Sequence, residues 1–190
     1  MSTTARQKAA AARREAEWQA GFESLARRFY VGVYNYLRWI TRDVSLAEDL
    51  TQETFMQIWQ HPPETQGDGA LKAWVYRIAR NQYLQHRRRA GLQTVAFEDC
   101  AEAEMADRTI PDPQLSLERE RQSQAVRRAV EKLPDHYREV IVLHNLEHLS
   151  VAQIAAILQI PKGTVKSRRA AALSRLRRLL HQQEVGNDEV

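Results

Sequence analysis

Apolar residues recur along this chain at helical spacing, and the places where the rhythm lapses divide it. From Trp18 a long block sets Phe22, Phe29, Tyr30, Tyr34, Trp39, Phe55, Trp59, Trp74 and Tyr76 among polar residues. Steps of three and four put such positions on one face of a 3.6-residue turn, which predicts helices. The rhythm fades across 91–120, where eight Asp or Glu stand against two Arg, with Pro111 and Pro113 among them. It resumes in "AVRRAVEKL" and "HYREVIVLHNL". The pattern therefore yields a first unit at 18–90, an acidic flexible linker at 91–120 and a second unit at 121–182. Residues 1–17 are mostly Ala, Arg, Gln and Glu, which could extend a helix but have no apolar stripe to bury, and read as a disordered or frayed tail; 183–190 read as a second tail. Helix formers dominate and β-branched runs are scarce, so we expect an all-α protein of two small helical domains.

The second unit ends in two closely spaced helices. Ser150 is a fitting N-cap, and Val151, Ile154, Ala155 and Leu158 repeat at helical spacing behind it. "QIPKG" breaks that helix, and Pro161 suits the start of the next. On the following stretch Val165, Ala172, Leu173, Leu176, Leu179 and Leu180 fall on one side, at about 100° per residue. Ser167, Ala170, Ala171, Ser174 and Arg178 fall on the other, flanked by Lys166 and Arg177 on one edge and Arg168 and Arg175 on the other. A membrane-surface helix would offer bulky apolar residues to lipid; this one needs its leucines for packing. A small face edged by cations suits the DNA major groove, where flanking charges neutralise phosphates and the centre meets base edges. The pair predicts a helix-turn-helix with Thr164–Arg178 as recognition helix.

Charge reinforces this picture by where it lies. The net charge is only +4, but the cations are segregated. Between Leu71 and Arg89 the chain carries Lys72, Arg77, Arg80, Arg87, Arg88 and Arg89 with no acid, interleaved with Trp74, Tyr76 and Tyr83. Trp74 and Ile78 suit a core-facing stripe, yet aromatics beside cations also stack unpaired bases, and both roles stay open for Trp74. The preceding "HPPETQGDGA" is a Pro/Gly-rich loop of the kind that lines pockets. Cys100 is the sole cysteine and makes no internal disulfide; no apolar run reaches the roughly 18 to 20 residues of a membrane span, and the N-terminus has no apolar signal core. We expect a cytoplasmic protein without membrane insertion of its own.

Three ordered stretches carry a family resemblance over nearly the whole chain: "AEDLTQETFMQIW", "KAWVYRIARN" and "LPDHYREVIVLHNLEHLSVAQIAAIL…GTVKSR". Together they resemble the extracytoplasmic-function sigma factors of bacterial RNA polymerase. The resemblance implies a transcription initiation subunit, not an enzyme, that binds core RNA polymerase, recognises promoter DNA at minus-35 and minus-10 elements and promotes opening. By it, Ala47–Trp59 docks on the polymerase, with Asp49, Gln52, Glu53 and Gln57 giving polar contacts and Leu50, Phe55, Ile58 and Trp59 packing or apolar contact. The minus-10 set is Lys72, Trp74, Arg77, Arg80, Asn81, Gln85 and Arg88, with the loop His61–Ala70 and Asn81 forming a pocket for a flipped base. Asn donates and accepts, as a base edge requires. The minus-35 set is Lys162, Thr164, Lys166, Ser167, Arg168, Ala170, Ala171 and Arg177. An anti-sigma factor is the expected regulator, and no cofactor or metal is implied.

Several positions depart from the family pattern. Gln85 stands where many members carry Asp, and the loop around "TQGDGA" lacks their usual aromatic. Ala170 and Ala171 replace bulkier or basic residues, leaving room for thymine methyl groups. Arg169 interrupts the apolar stripe where members place Leu or Ile, so its guanidinium must snorkel or find a carboxylate. Two other readings compete. A conventional helix-turn-helix regulator would need neither the acidic docking helix nor the first basic helix. "HNLEH", His144–His148, fits the H-x-x-E-H pattern of inverted zinc peptidases, but zinc hydrolysis needs a third protein ligand, and the motif stops at a helix boundary.

Overall fold

The computed structural model describes the backbone of residues 3–63, 67–91 and 116–187, and side chains within 18–63, 67–91 and 124–182. Every regular element among them is helical: α1 (Thr3–Thr41), α2 (Val44–Gln60), α3 (Asp68–Arg89), α4 (Ser116–Glu131), α5 (Asp135–Ile141), α6 (Val151–Leu158) and α7 (Lys162–Asn187), with a π turn at Val142–Leu146 between α5 and α6. The chain is thus all-α, with α1–α3 and α4–α7 as its two units. Residues 92–115, most of the expected linker together with Cys100, lie outside the described residues, as do 64–66 of the pocket loop.

At both ends helical backbone runs into the segments read as tails. The backbone is helical from Thr3, so residues 3–17 extend α1, and α7 continues past Gln182 to Asn187. Ala, Gln and Arg are strong helix formers, and a helix already nucleated propagates through them without burying a face.

In the first unit, Leu25, Phe29, Val33, Leu37 and Ile40 form the buried stripe of α1 and meet Leu50 and Ile58 of α2 and Val75, Ile78 and Ala79 of α3. Asp43 caps α2 by accepting from Leu46 N at 3.1 Å. Thr51 and Thr54 are buried yet satisfied, each donating its hydroxyl at 2.6 Å to the carbonyl four residues back. Trp18 Nε1 donates to Trp59 O at 3.0 Å, supplying a partner to the otherwise open carbonyl end of α2. Phe22 meets Trp59 edge-on at 4.9 Å beneath that bond.

Arg138, without exposed surface, organises the second unit. Its Nε donates to Val130 O at 3.3 Å and its Nη2 to Glu131 O at 3.0 Å and to Leu133 O, while Nη1 bonds Asp135 Oδ1 at 2.9 Å. A buried guanidinium is costly unless its protons are used. Here they meet the carbonyls of Val130 and Glu131 at the C-terminus of α4, the negative end of that helix, and that of Leu133 just beyond it. This gives the Arg of "LPDHYREV" a structural reason. The π turn follows α5, with Glu147 N donating to Val142 O at 3.0 Å, and a left-handed His148 (φ 53) turns the chain into α6.

The helix-turn-helix forms as its pattern predicts. Ser150 and Gln153 make a reciprocal capping box at the start of α6. Gln159, left-handed at φ 55, and Ile160 N donating to Ala155 O at 3.2 Å end that helix. Val165 and Ala172 of α7 are fully buried, and Leu173, Leu176 and Leu179 pack against the core. Arg169, on the same side, keeps partial exposure and makes no ion pair among the described residues; its Nε is buried without a hydrogen-bond partner. Snorkelling, rather than a carboxylate, answers its position in the stripe.

The units pack on each other. An acidic linker by itself predicts no set separation between the two basic helices, but the helices make their own contact, chiefly α3 against α6 and α1 against α5.

Candidate nucleic-acid interface

Helix α2, for which the resemblance implies polymerase docking, sorts its candidate residues by burial. Asp49, Gln52 and Trp59 reach the surface, and Met56 between them is 57% exposed. Steps of three and four place these four residues in one row. Glu53 is half-buried, and Gln57 accepts from Gln82 Nε2 at 2.7 Å, a bond that ties α2 to α3. Leu50, Phe55 and Ile58 are core residues. Leu50 and Phe55 take the packing role of the two that the resemblance left open to them. Met56, outside the expected set, is exposed a step of four from Gln52.

On α3 the minus-10 candidates divide between two faces. Arg77, Asn81, Gln85 and Arg88 are exposed in a single row, open to a ligand. Lys72 and Arg80 are engaged across the unit boundary: Lys72 Nζ donates to Glu147 O, and Arg80 Nε donates to Glu139 Oε1 at 2.8 Å. Trp74 is half-buried against the core, which favours packing over stacking. The start of α3, next to the pocket loop, is fixed to α1 by a two-pronged pair, Arg28 to Asp68 at 2.9 and 2.8 Å. The Arg28 hydrogen bond and charge hold the Asp68 carboxyl below its ordinary value.

Along α7, Lys162, Lys166, Ser167, Ala170 and Arg177 are exposed, and Thr164, Arg168 and Ala171 half-exposed. Ser167 Oγ donates back to Thr164 O at 3.1 Å, leaving its lone pairs outward. Arg175 lies 5.3 Å over the Tyr137 ring. His136 is pushed below its ordinary pKa by burial first and then by Arg168 and Arg175, so α7 carries a positive field along this edge. The small face keeps its cationic flanks, and no helix of the first unit covers it to any extent.

His144 and His148 do not share a helix face, because the chain reverses at His148. His144 Nδ1 lies 2.9 Å from Leu149 O, and Glu147 is committed to Tyr76 and α3. Among the described residues no group of three or more His, Cys, Asp or Glu could hold a metal, and no helix is long and apolar enough to cross a membrane.

Comparison with known proteins agrees with the arrangement of the helices. Residues 25–93 match the family described as Sigma-70 region 2, and residues 123–176 match Sigma-70, region 4. The ECF RNA polymerase sigma factor SigL of Mycobacterium tuberculosis is 35% identical over 81% of this chain and 84% of its own length. SigW of Bacillus subtilis, also an ECF RNA polymerase sigma factor, is 31% identical over 79% of this chain and 83% of its own. Among solved structures, the sigma factor RpoE of Bartonella quintana, in complex with the anti-sigma factor NepR, superposes with a TM-score of 0.64 at 26% identity, covering 85% of this chain and 97% of that one. α2, the basic α3 and the open helix-turn-helix stand in the order of those two regions, and the chain belongs to the extracytoplasmic-function sigma factors of RNA polymerase.

Proposed function

We propose that this sigma factor binds core RNA polymerase through the α2 row Asp49, Gln52, Met56 and Trp59, reads the minus-10 element with α3 and reads the minus-35 element with α7. The single observation that carries the reading is the face of α7: small residues at the centre, cations on both flanks, exposed while the opposite stripe is buried. Phosphates would be neutralised by Lys162, Lys166, Arg168 and Arg177, while Ser167, Ala170 and Ala171 meet base edges. On α3, Arg77 and Arg88 would follow the strand, and Asn81 and Gln85 would contact an unstacked base, with duplex opening favoured by that capture. Partners are core polymerase, promoter DNA and an anti-sigma factor of the kind that holds the Bartonella quintana relative, and the setting is the cytoplasm.

Run-off transcription from genomic fragments, with core polymerase and this chain, tests the reading. Discrete transcripts that require both components are expected. Tight duplex binding by the chain alone, with no transcript, would point instead to a conventional helix-turn-helix regulator.

A further inference from the structure

Helix α1 outruns the unit it belongs to. Its buried stripe begins at Leu25, with Trp18 and Phe22 packed against the same core, yet its backbone is helical back to Thr3. Residues 3–17 therefore form an arm, roughly 22 Å long at the α-helical rise. The arm lies before residue 25, where the match to Sigma-70 region 2 begins.

Two contacts fix the direction in which the arm leaves. Trp18 Nε1 donates to Trp59 O at the end of α2, and Arg28 grips Asp68 at the start of α3. α1 and α3 run the same way, since the next contact along both is between the rings of Tyr36 and Tyr76. The exposed α3 row Arg77, Asn81, Gln85 and Arg88 thus extends in one direction from the start of α3, and the arm extends in the other.

Charge says what the arm suits. Residues 1–14 carry Arg6, Lys8, Arg13 and Arg14 and no acid. At about 100° per residue, Arg6, Arg13 and Arg14 fall within about 60° of Arg28 around the helix, the side on which α1 meets α3. Glu17, near the anchored foot, is the one acid in that sector before Arg28. A protein partner would want apolar and aromatic residues at the centre of its contact, and a lipid surface a bulky apolar face. The arm's sequence offers neither, whereas spaced cations match a chain of phosphates.

We infer that the arm lengthens the minus-10 site, with Arg6, Arg13 and Arg14 following the phosphates of the single strand beyond the nucleotides that α3 holds. This rests on the reading of α3 as minus-10 reader and enlarges its footprint. The arm adds affinity and salt dependence without sequence preference, and base readout stays with α3.

The triple variant Arg6→Gln, Arg13→Gln and Arg14→Gln removes the charge and keeps good helix formers. Fluorescence anisotropy of the full chain with a labelled, randomised single-stranded DNA of about 12 nucleotides reads the effect. Binding should weaken at least about tenfold at low salt, and the slope of log affinity against log salt should fall by about two, at about 0.7 per lost contact. With a strand of about 4 nucleotides, enough for α3 alone, the two chains should bind alike. Affinity for core polymerase in a pull-down should not change. Equal affinity and slope on the longer strand overturn the inference. So does a deficit that persists on the shorter strand, because the charge then acts without lengthening the site. Lost core binding with strand binding kept would make the arm a polymerase contact and overturn it as well. Arg77→Ala with Asn81→Ala separates the inference from the reading beneath it. If that variant binds the longer strand like wild type while the arm variant does not, α3 is not the reader, and strand binding by the arm still stands.

Discussion

Tyr36 donates its hydroxyl hydrogen to Glu139 Oε1 at 2.8 Å, so a side chain without exposed surface in the first unit holds a carboxylate of the second. Burial, with the charge of Glu139 behind it, pushes the Tyr36 hydroxyl well above its ordinary pKa, and it remains a donor at every accessible pH. Tyr36→Phe keeps the ring and removes only this bond. Bonds to charged groups contribute about 1.5 to 3 kcal/mol, so the full chain should lose roughly that in urea unfolding. A loss under about 0.5 kcal/mol, the range of ordinary surface changes, would mean that Arg80 alone positions Glu139.

Polymerase docking should depend on the exposed row of α2 rather than on its buried residues. Asp49→Ala, Gln52→Ala and Met56→Ala together should weaken core affinity at least about tenfold, about 1.4 kcal/mol, with unchanged thermal midpoint. Trp59→Ala should weaken docking and also destabilise the fold, because Trp59 packs on Phe22 and is only 40% exposed. Unaltered affinity of the triple variant in a pull-down with core enzyme would place the docking face elsewhere.

Minus-35 binding should carry a phosphate signature. Removing Lys166, Arg168 or Arg177 singly should lower the slope of log affinity against log salt by about one, since one fewer counterion is released. Duplex titrations between low and moderate salt measure it. Three slopes identical to wild type would take α7 off the DNA backbone.

The packing of the second unit on the first, the closed form, should strengthen in mild acid. Burial holds the Glu147 carboxyl above its ordinary value, against the opposing pull of the Tyr76 hydrogen bond and of Lys72 and His148. The closed form therefore binds a proton at a pH where the open form does not. As pH falls through the raised value the closed form gains stability, and the gain is complete below the ordinary carboxylate pKa, where both forms are protonated. Scattering profiles from neutral to mildly acid pH should show compaction in wild type and a weaker dependence in Glu147→Gln. Identical profiles for the two chains would remove Glu147 as the titrating group.

Legibility in the sequence followed the range of the interactions. The Ser150 cap, the break at Gln159 and the two-sided character of α7 are local features, and they emerge from spacing within a dozen residues. The resemblance assigned a role to α2 but not a face: only the structure shows that Leu50 and Phe55 are core and that Met56 is exposed beside Gln52. Helix propensity carried α1 back through 3–17, where the missing apolar stripe suggested a tail. Least legible was the contact between units. Tyr76 and Glu147 are 71 positions apart, and neither periodicity nor charge pattern announces such a pair. The acids that meet the basic α3 are Glu139, on Arg80, and Glu147, on Tyr76.

The π turn at Val142–Leu146 determines which way those two acids face. Glu139 and Glu147 are eight positions apart, and an unbroken α-helix would set them about 80° apart around its axis. A π turn absorbs one residue more than an α turn, which brings the two directions to within about 20° of each other. Both carboxylates then address the same neighbour. In the currency of genes, a single codon inserted or lost between them is enough to create this self-recognition or to erase it, with the promoter-reading helices left untouched.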